Sequence, residues 1–474
     1  MKIKKQSICK YIMILSDLVS FLLSLPLALF IVQYFIGELD KYIPRAELDE
    51  RILIHFSLGI ICVCWFWIRL RHYTYRKPFW FELKEIIRTI IIFSIIELAI
   101  IAFSKLYFSR YVWVITWGVV IFIVPLIRIL IKYFLIKIKM YSKNTIIIGA
   151  GQNAIEAYKA ILSEPYLGLD VKYFISTYEI QNSSIIESIP VIFKDTETLN
   201  LMIKKTDQII IALEDYETEI RDTWLRFLTK NGYRFVSVVP TLRGLPLYST
   251  DMSFLFSHEI ILLRINHNLA KRSSKVLKRS MDISVSFILL VMLFPALFII
   301  WSLIYLSGGK PFYGHTRVGL NGKLFTCWKF RTMKKNADLV LNDLLASDEQ
   351  LYNQWCNDHK LKKDPRVTWL GVWMRKYSID ELPQLWNVLI GEMSLVGPRP
   401  ITETELHYYQ ENIDYYLIAK PGMTGLWQVS GRNNVDYNTR VYFDSWYVKN
   451  WSLWNDIAIL CKTIPVVIHK KGAY

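Results

Sequence analysis

The chain has 474 residues, of which 53% are hydrophobic and 21% charged, and its 57 basic against 41 acidic side chains leave a formal charge of +16. That apolar fraction excludes a disordered chain, and its crowding into the first third argues against a purely soluble enzyme. A positive balance beside apolar runs points to an anionic membrane surface rather than to nucleic acid, because no helix-turn-helix or zinc-finger spacing accompanies it. The cysteines (Cys9, Cys62, Cys64, Cys327, Cys356 and Cys461) form no C-x-x-C pair and are read as reduced and metal-free.

Four apolar stretches, at residues 11–36, 52–68, 86–103 and 111–131, precede residue 140. A hydrocarbon core of about 30 Å needs about 20 helical residues, with about 17 the lower limit, so all four qualify as spans. Lys2, Lys4, Lys5 and Lys10 precede the first. The loop after it is acidic, with Glu38, Asp40, Glu47, Asp49 and Glu50. Arg69, Arg71, Arg76, Lys77, Lys84 and Arg88 follow the second, and Lys132, Lys137, Lys139 and Lys143 follow the fourth. Positive loops stay in the cytoplasm, so both ends of a four-helix transmembrane bundle should face it, in the inner membrane. Glu97 lies inside the third stretch and is a functional candidate by position. With no basic partner in register, a helix–helix contact is the expected role.

Residues 144–240 alternate strand-like and helix-like runs. Residues 145–148 read as a buried strand, and Gly149-Ala-Gly-Gln-Asn-Ala154 follows it. This fits G-x-G-x-x-A at a strand-to-helix turn and predicts a Rossmann-like α/β module. The strand at 171–176 ends without the acid that would bind a ribose, so an NAD-like dinucleotide is not expected. Residues 241–269 read as a strand-rich connector.

A fifth apolar segment, 283–306, is also long enough to span. Lys271, Arg272, Lys275, Lys278 and Arg279 precede it, and Lys310, Arg317 and Lys323 follow. Both ends therefore prefer one side. Pro295 near its middle kinks or breaks a helix. A re-entrant hairpin is predicted, with a fifth spanning helix as the alternative.

From residue 311 short motifs crowd together. They include Lys329-Phe-Arg331, the run Ser378-Ile-Asp-Glu-Leu-Pro-Gln-Leu-Trp-Asn387, Ser394-Leu-Val-Gly-Pro-Arg-Pro400 and Lys420-Pro-Gly-Met-Thr-Gly-Leu-Trp-Gln-Val-Ser-Gly-Arg432. No P-loop, H-E-x-x-H or G-x-S-x-G is present. Asp380 and Glu381 are adjacent, so on a helix they would point about 100° apart. One could attack a phosphoanhydride while the other holds Mg²⁺. Attack of an anion on an anion needs cations, and Lys329, Arg331, Arg375 and Arg399 are the candidates. The same residues also read as a capping box, Ser378-x-x-Glu381, although Pro383 would then sit awkwardly inside the helix. The residue pattern leaves both readings open.

The segment from about Lys278 to Tyr474 resembles the bacterial sugar transferases, the monotopic phosphoglycosyl transferases that load a phosphosugar onto a polyprenyl phosphate. The runs just quoted carry the resemblance, together with Tyr313-Gly-His-Thr-Arg-Val-Gly-Leu-Asn-Gly322 and Val441-Tyr-Phe-Asp-Ser-Trp-Tyr-Val-Lys-Asn450. The whole chain is similar to the large members. The resemblance implies that Asp380 is the nucleophile on a UDP-sugar, that UMP leaves, and that undecaprenyl phosphate collects the phosphosugar. It implies Mg²⁺ at Glu381, places Arg317, Lys278 and Arg279 with the phosphate-binding candidates, and gives Asp282 and Pro295 structural roles at the membrane. Phe294-Pro295 stands where small members often have Ser-Pro, and His315 where many have Gln.

The expected fold is thus a four-helix transmembrane bundle (1–140), a Rossmann-like module and connector (141–269), and an α-rich catalytic domain with a re-entrant helix (270–474). Galactose is the first expected sugar and glucose the next. A homodimer is expected, and no nucleic-acid partner. Nine of the 16 tryptophans follow residue 320, which suits headgroup level, and 451–469 could lie along the interface. The rival readings are a membrane-bound nucleotide-sugar dehydratase, a non-catalytic scaffold of glycan assembly and a small-molecule carrier.

Overall fold

The computed structural model describes residues 5–178, 185–193, 203–242, 250–255, 260–265 and 268–468, apart from 335–336, 338–339, 342–345, 347–363 and 431–435. Cys356, Trp355, Gly431, Arg432 and the chain end at Tyr474 lie outside the described residues. The chain forms two compact units, Met1–Leu242 and Arg243–Tyr474.

The first unit begins with helices α1 (Lys5–Phe35), α2 (Leu48–Ile68), α3 (Phe79–Phe103) and α4 (Arg110–Lys137). Each packs on the next, and α4 returns to α1. All four are long and apolar enough to cross a membrane. Their shared seam buries Phe21, Cys62, Phe66, Ile90, Trp117 and Val120. Their outer faces leave Phe30, Phe103, Phe122 and Tyr133 exposed. An apolar surface of that extent calls for lipid.

The seam is not wholly apolar. Arg128 of α4 is fully buried, and its guanidinium donates to both oxygens of Asp17 on α1 and, at 3.0 Å, to Glu82 on α3. One turn on, Lys132 donates to the other Glu82 oxygen at 2.5 Å. Tyr73 adds a hydroxyl to Asp17 at 2.5 Å. The hydropathy pattern hid this network, because single charges do not interrupt a long apolar run. Glu97 does make a helix–helix contact, accepting from Trp117 Nε1 at 2.5 Å. The expectation that it lacks a basic partner is corrected: the His55 ring of α2 lies 3.5 Å from its other oxygen.

The same unit continues with β1 (Lys143–Ile148), α5 (Gln152–Ser163), β2 (Leu169–Ser176), β3 (Ile185–Ile186), β4 (Ile189–Phe193), β5 (Gln208–Ile211), α6 (Thr218–Lys230) and β6 (Val236–Val238). The sheet order is β3-β4-β2-β1-β5-β6, parallel except for β3. Ile146 and Ile148 of β1 pack with Trp224 and Leu228 on one face, while Ile147 packs with Ala154, Ala157 and Phe174 on the other. Burial on both faces is why this strand reads as a continuous isoleucine run.

The second unit opens on the antiparallel hairpin β7 (Thr250–Leu255) and β8 (Ile260–Ile265), within the expected connector. Then comes α7 (Arg272–Leu306), one helix of 35 residues. It runs through Pro295, so a hairpin broken at that residue is not what forms; an interior proline bends a helix without having to end it. On both sides of Pro295 the helix packs against the same body, through Val285, Leu289 and Leu290 before it and through Leu297, Ile300 and Ile304 after it. That body contains β9 (Phe312–Val318) and β10 (Leu324–Phe330), α8 (Trp369–Lys376), α9 (Gln384–Ile390), β11 (Ser394–Val396), α10 (Ile413–Leu417), β12 (Gly422–Thr424), α11 (Leu426–Ser430), α12 (Tyr437–Lys449) and α13 (Leu453–Ile468). The aromatic residues divide. Trp427 and Trp451 are buried core, whereas Trp369, Trp373 and Trp386 are exposed.

Candidate active site

The acidic pair sits on a single 3₁₀ turn, Ile379–Glu381, between α8 and α9. Ser378 enters it in the left-handed region (φ 55°) and caps nothing, so the capping-box alternative is not realised. Pro383 lies at the start of α9, where its missing N–H costs no helical bond. The turn is fixed from below by Ile379, packed with Ile300, Ile304, Phe330 and Met374.

Lys329 of β10 reaches the turn and donates to Glu381 Oε1 at 2.6 Å. Burial alone would lower the Lys329 pKa, but the Glu381 and Asp380 carboxylates outweigh it and the net shift is upward. Asp380 is placed differently. Burial pushes its carboxyl above the usual range, the neighbouring Glu381 adds to this, and Lys329 and Arg375 offset part of it. Arg375 spends its Nε on Thr332 Oγ1 at 3.0 Å while its charge bears on Asp380 and Asp364. The result is a carboxylate with cations nearby and no ion-pair partner among the described residues.

One residue that sequence reasoning passed over holds these parts together. Asn387 is fully buried, accepts from Trp328 N at 3.1 Å, and donates to Thr326 O at 2.8 Å and Glu392 at 2.6 Å. With both amide hydrogens and the carbonyl used, it ties α9 to β10, and so the acidic turn to Lys329. Its signal was its place nine residues beyond Ser378 in the same motif.

The other predicted cations are not gathered here. Arg331 donates to Ile304 O and Ser307 Oγ, both at 3.2 Å, and so closes the C-terminus of α7. Arg317 pairs with Glu405 at 3.2 Å, and the hairpin register puts it opposite Phe325, four residues from Lys329. Arg399 lies over the Trp427 ring, 5.4 Å from its centroid, with Arg440 at 4.6 Å. Lys278 donates to Asp456 at 2.7 Å, and Arg279 to the carbonyls of Val388 and Leu389, both at 2.6 Å. Asp282 accepts from Ser394 Oγ and Leu395 N, both at 3.1 Å. These three fasten the first half of α7 to the body. His315 lies across the hairpin from Cys327, whose thiol burial pushes up to about 11.

The glycine-rich motifs do a structural job. A Cβ on Gly422 would lie 2.1 Å from Gly397 N, and one on Gly397 would lie 2.4 Å from Lys420 O. The segments around Gly397 and Gly422 therefore cross backbone on backbone. An apolar groove of about 580 Å³ runs along α7 and reaches Pro383, two residues beyond Glu381. It is walled by Phe294, Phe298 and Trp301 of α7, by Trp328 and Phe330, and by Pro383. Among the described residues no group of three or more His, Cys, Asp or Glu side chains could cage a metal. Asp380 and Glu381 still suit Mg²⁺, which takes one or two carboxylates and completes its shell with phosphate oxygens and water.

The G-x-G-x-x-A turn of the first unit carries a carboxylate of its own. Glu214 Oε1 accepts the Asn153 backbone N–H at 2.7 Å, at the N-terminus of α5. A side chain on Gly151 would meet that same oxygen at 2.5 Å. The anion position that a pyrophosphate would need is filled by the protein's own carboxylate.

The family profile described as bacterial sugar transferase matches residues 273–470, and one described as CoA-binding domain matches 71–225. An undecaprenyl-phosphate galactose phosphotransferase of Salmonella typhimurium is 54% identical over 98% of this chain and 98% of its own length. A UDP-galactose-lipid carrier transferase of Erwinia amylovora is 52% identical over 97% of this chain and 96% of its own. An exopolysaccharide production protein ExoY of Sinorhizobium fredii is 50% identical over 42% of this chain, which is 88% of its own length. The chain belongs to the bacterial sugar transferase family, in its large form, and is a membrane-associated transferase.

Proposed function

We propose that this protein transfers a hexose 1-phosphate, first of all galactose 1-phosphate, from its UDP-sugar to undecaprenyl phosphate and so begins assembly of a surface polysaccharide. The observation that carries the reading is the acidic turn: a half-buried, incompletely paired Asp380 beside the Lys329–Glu381 ion pair, just before Pro383 in the wall of an apolar groove. An Asp380 oxygen attacks the sugar-bearing phosphorus, the anhydride bond breaks, and UMP leaves with the electron pair. A phosphate oxygen of the lipid then attacks the same phosphorus. The Asp380–phosphorus bond breaks, and the carboxylate is restored. Asp380 and Glu381 would hold Mg²⁺, which supplies charge neutralisation on the phosphates. Lys329 orients Glu381 through their ion pair, and Arg375 adds positive field. The groove receives the first isoprenes of the lipid, so a water-soluble and a bilayer substrate meet at one turn.

Membrane placement follows the same reading. A helix that crossed the bilayer would carry its two ends apart. In α7 one end is held by Lys278 on Asp456 and the other by Arg331 on Ile304 O and Ser307, all within one compact body. This favours a bent, re-entrant α7 at the cytoplasmic face of the inner membrane, while the four helices of the first unit span it. Galactose rests on the names of the two full-length relatives. The Glu214 contact supports a central module without a bound dinucleotide or coenzyme A, and a homodimer remains part of the proposal.

The test uses purified protein in nanodiscs with Mg²⁺, undecaprenyl phosphate and a panel of UDP-sugars. UMP and lipid-linked sugar should appear in equal amounts with UDP-galactose and vanish with Asp380→Asn. Release of UDP instead would overturn the assignment of the bond broken. Absence of turnover with every sugar, in a folded sample, would favour a scaffold.

A further inference from the structure

A second cavity, of about 900 Å³, opens beside the first turns of α7. The acidic turn packs on Ile300 and Ile304, some twenty residues further along α7 than Arg279, and none of Asp380, Glu381 and Lys329 lines this cavity. The cavity is therefore distinct from the site of transfer. Much of its wall is apolar, including Leu269, Val276, Ile418 and Val448. Its charges are unbalanced: Lys275, Lys278, Arg279, Lys420 and Lys449 face it against one acid, Asp282.

Several of these charges are already matched. Lys278 has Asp456, Arg279 has two carbonyls, Lys449 lies 4.5 Å over the Tyr415 ring, and Asp282 is held by Ser394 and Leu395. Lys420 is not matched: its ammonium has no hydrogen-bond or ion-pair partner among the described residues. Lys420 Nζ and Arg279 Nη2 lie 3.4 and 3.1 Å from the single point where a Gly391 side chain would begin. Two cations thus face each other across the width of one missing side chain. Burial, and then the like charge of Arg279, push Lys420 below the ordinary lysine range; Asp282 offsets part of this and Lys278 adds to it. Asp282 is the one acid that faces them and already accepts from Ser394 and Leu395, so a further anion between the two cations lowers the cost of burying them together.

We propose that this cavity binds the phosphate headgroup of an anionic bilayer phospholipid, with Lys420 as its principal contact and the apolar wall taking the start of an acyl chain. The apolar lining argues against a free phosphate or a nucleotide. The location argues for a lipid: the basic first turns of α7 lead directly into exposed Ile283 and Phe287, which is the level of the headgroups. Such a lipid would fix the depth at which α7 enters the bilayer. The inference needs only that α7 lies in a membrane and is independent of the transfer chemistry.

Native mass spectrometry of the full chain, released from detergent, provides the test. The protein is titrated separately with phosphatidylglycerol, phosphatidylcholine, undecaprenyl phosphate and inorganic phosphate. One phosphatidylglycerol should be retained. Lys420→Met should weaken it about tenfold, the scale of one charge-assisted hydrogen bond, and Lys420→Arg should keep it. Ile418→Trp, which fills the cavity from a half-exposed position, should weaken it similarly, so the test does not depend on one variant folding. Circular dichroism checks each sample. Unchanged phosphatidylglycerol retention in both Lys420→Met and Ile418→Trp would overturn the proposal. So would inorganic phosphate or undecaprenyl phosphate binding at least as tightly and displacing the phospholipid.

Discussion

Asp17 and Glu82 in the N-terminal helices and Asp380 and Glu381 in the catalytic body are held under opposite rules. In the helices every oxygen is answered. Asp17 takes the Arg128 guanidinium and the Tyr73 hydroxyl, and Glu82 takes Arg128 on one oxygen and Lys132 on the other. In the catalytic body Glu381 is answered by Lys329, but Asp380 only shares the field of cations that bond elsewhere. Complete pairing makes a charge structural, because nothing is left to react. Incomplete pairing, on a turn whose backbone is fixed by Asn387 and Ile379, leaves a carboxylate available to attack.

The comparison breaks if the two sites respond alike to substitution. Asp380→Asn should lower transfer about a thousandfold or more while leaving the detergent-extracted protein monodisperse with an unchanged melting midpoint. Arg128→Met should do the reverse. Two buried carboxylates lose their partner at a cost of about 3–5 kcal/mol, so the folded yield falls while turnover per folded molecule stays within about threefold. Size-exclusion profiles and UMP release on the same samples separate the two outcomes. A soluble, stable Arg128→Met protein with no turnover would place the helices in the mechanism.

Lys329→Met sharpens the contrast within the site. Burial already raises the Asp380 pKa, and Lys329 holds it down. Removing the ammonium raises it further, so a smaller fraction is ionised at neutral pH. The acid limb of the kcat/KM profile should move to higher pH, with a loss of about 10–100-fold near pH 7 that shrinks toward pH 9. A uniform loss at all pH values would assign Lys329 to substrate binding alone.

These features were unequally legible. The four apolar stretches, the isoleucine strand with its Gly turn, and the Asp380-Glu381 run announce themselves because each is a local pattern. Lys329 was found because its motif is short and basic. What stayed hidden depends on partners far apart in sequence. Asp17 and Arg128 are 111 residues apart, and neither interrupts the apolar run that contains it. Lys278, Arg279 and Arg331 read as phosphate ligands, and no local pattern shows that their donors reach Asp456, Ser307 and backbone carbonyls. Pro295 suggested a break because the pattern does not reveal the packing that carries the helix through it.

Asp444 offers a smaller test of buried acids. It is 2% exposed, and burial pushes its carboxyl up to about 7 although the Tyr409 hydroxyl and the Arg399 N–H donate to it. Its unfolded value is about 3.9. Between those values the folded protein keeps a proton that the unfolded chain releases. Its contribution is therefore fully present below about pH 4 and is lost as pH rises through about 7. Asp444→Asn should flatten the fall of the melting midpoint between about pH 4 and pH 7 by a few degrees. Identical slopes in variant and wild type would mean that this carboxyl is ionised throughout.

The smallest effect concerns Glu214. Its side chain accepts at two helical starts, from Asn153 N and, within a capping box, from the Glu217 backbone. Glu214→Ala loses both bonds and should cost about 1–2 kcal/mol, a modest drop in melting midpoint with little change in transfer. The same change vacates the anion position between the Gly turn and α5. NADH or coenzyme A at about millimolar concentration should then recover part of the lost midpoint in the variant and leave the wild type unmoved. The wild type gains little because its own tethered carboxylate must first be displaced, at the cost of those same bonds, and would then repel the ligand's phosphates. A midpoint raised equally in both proteins would mean that Glu214 yields to the ligand, and the central module would become a nucleotide sensor.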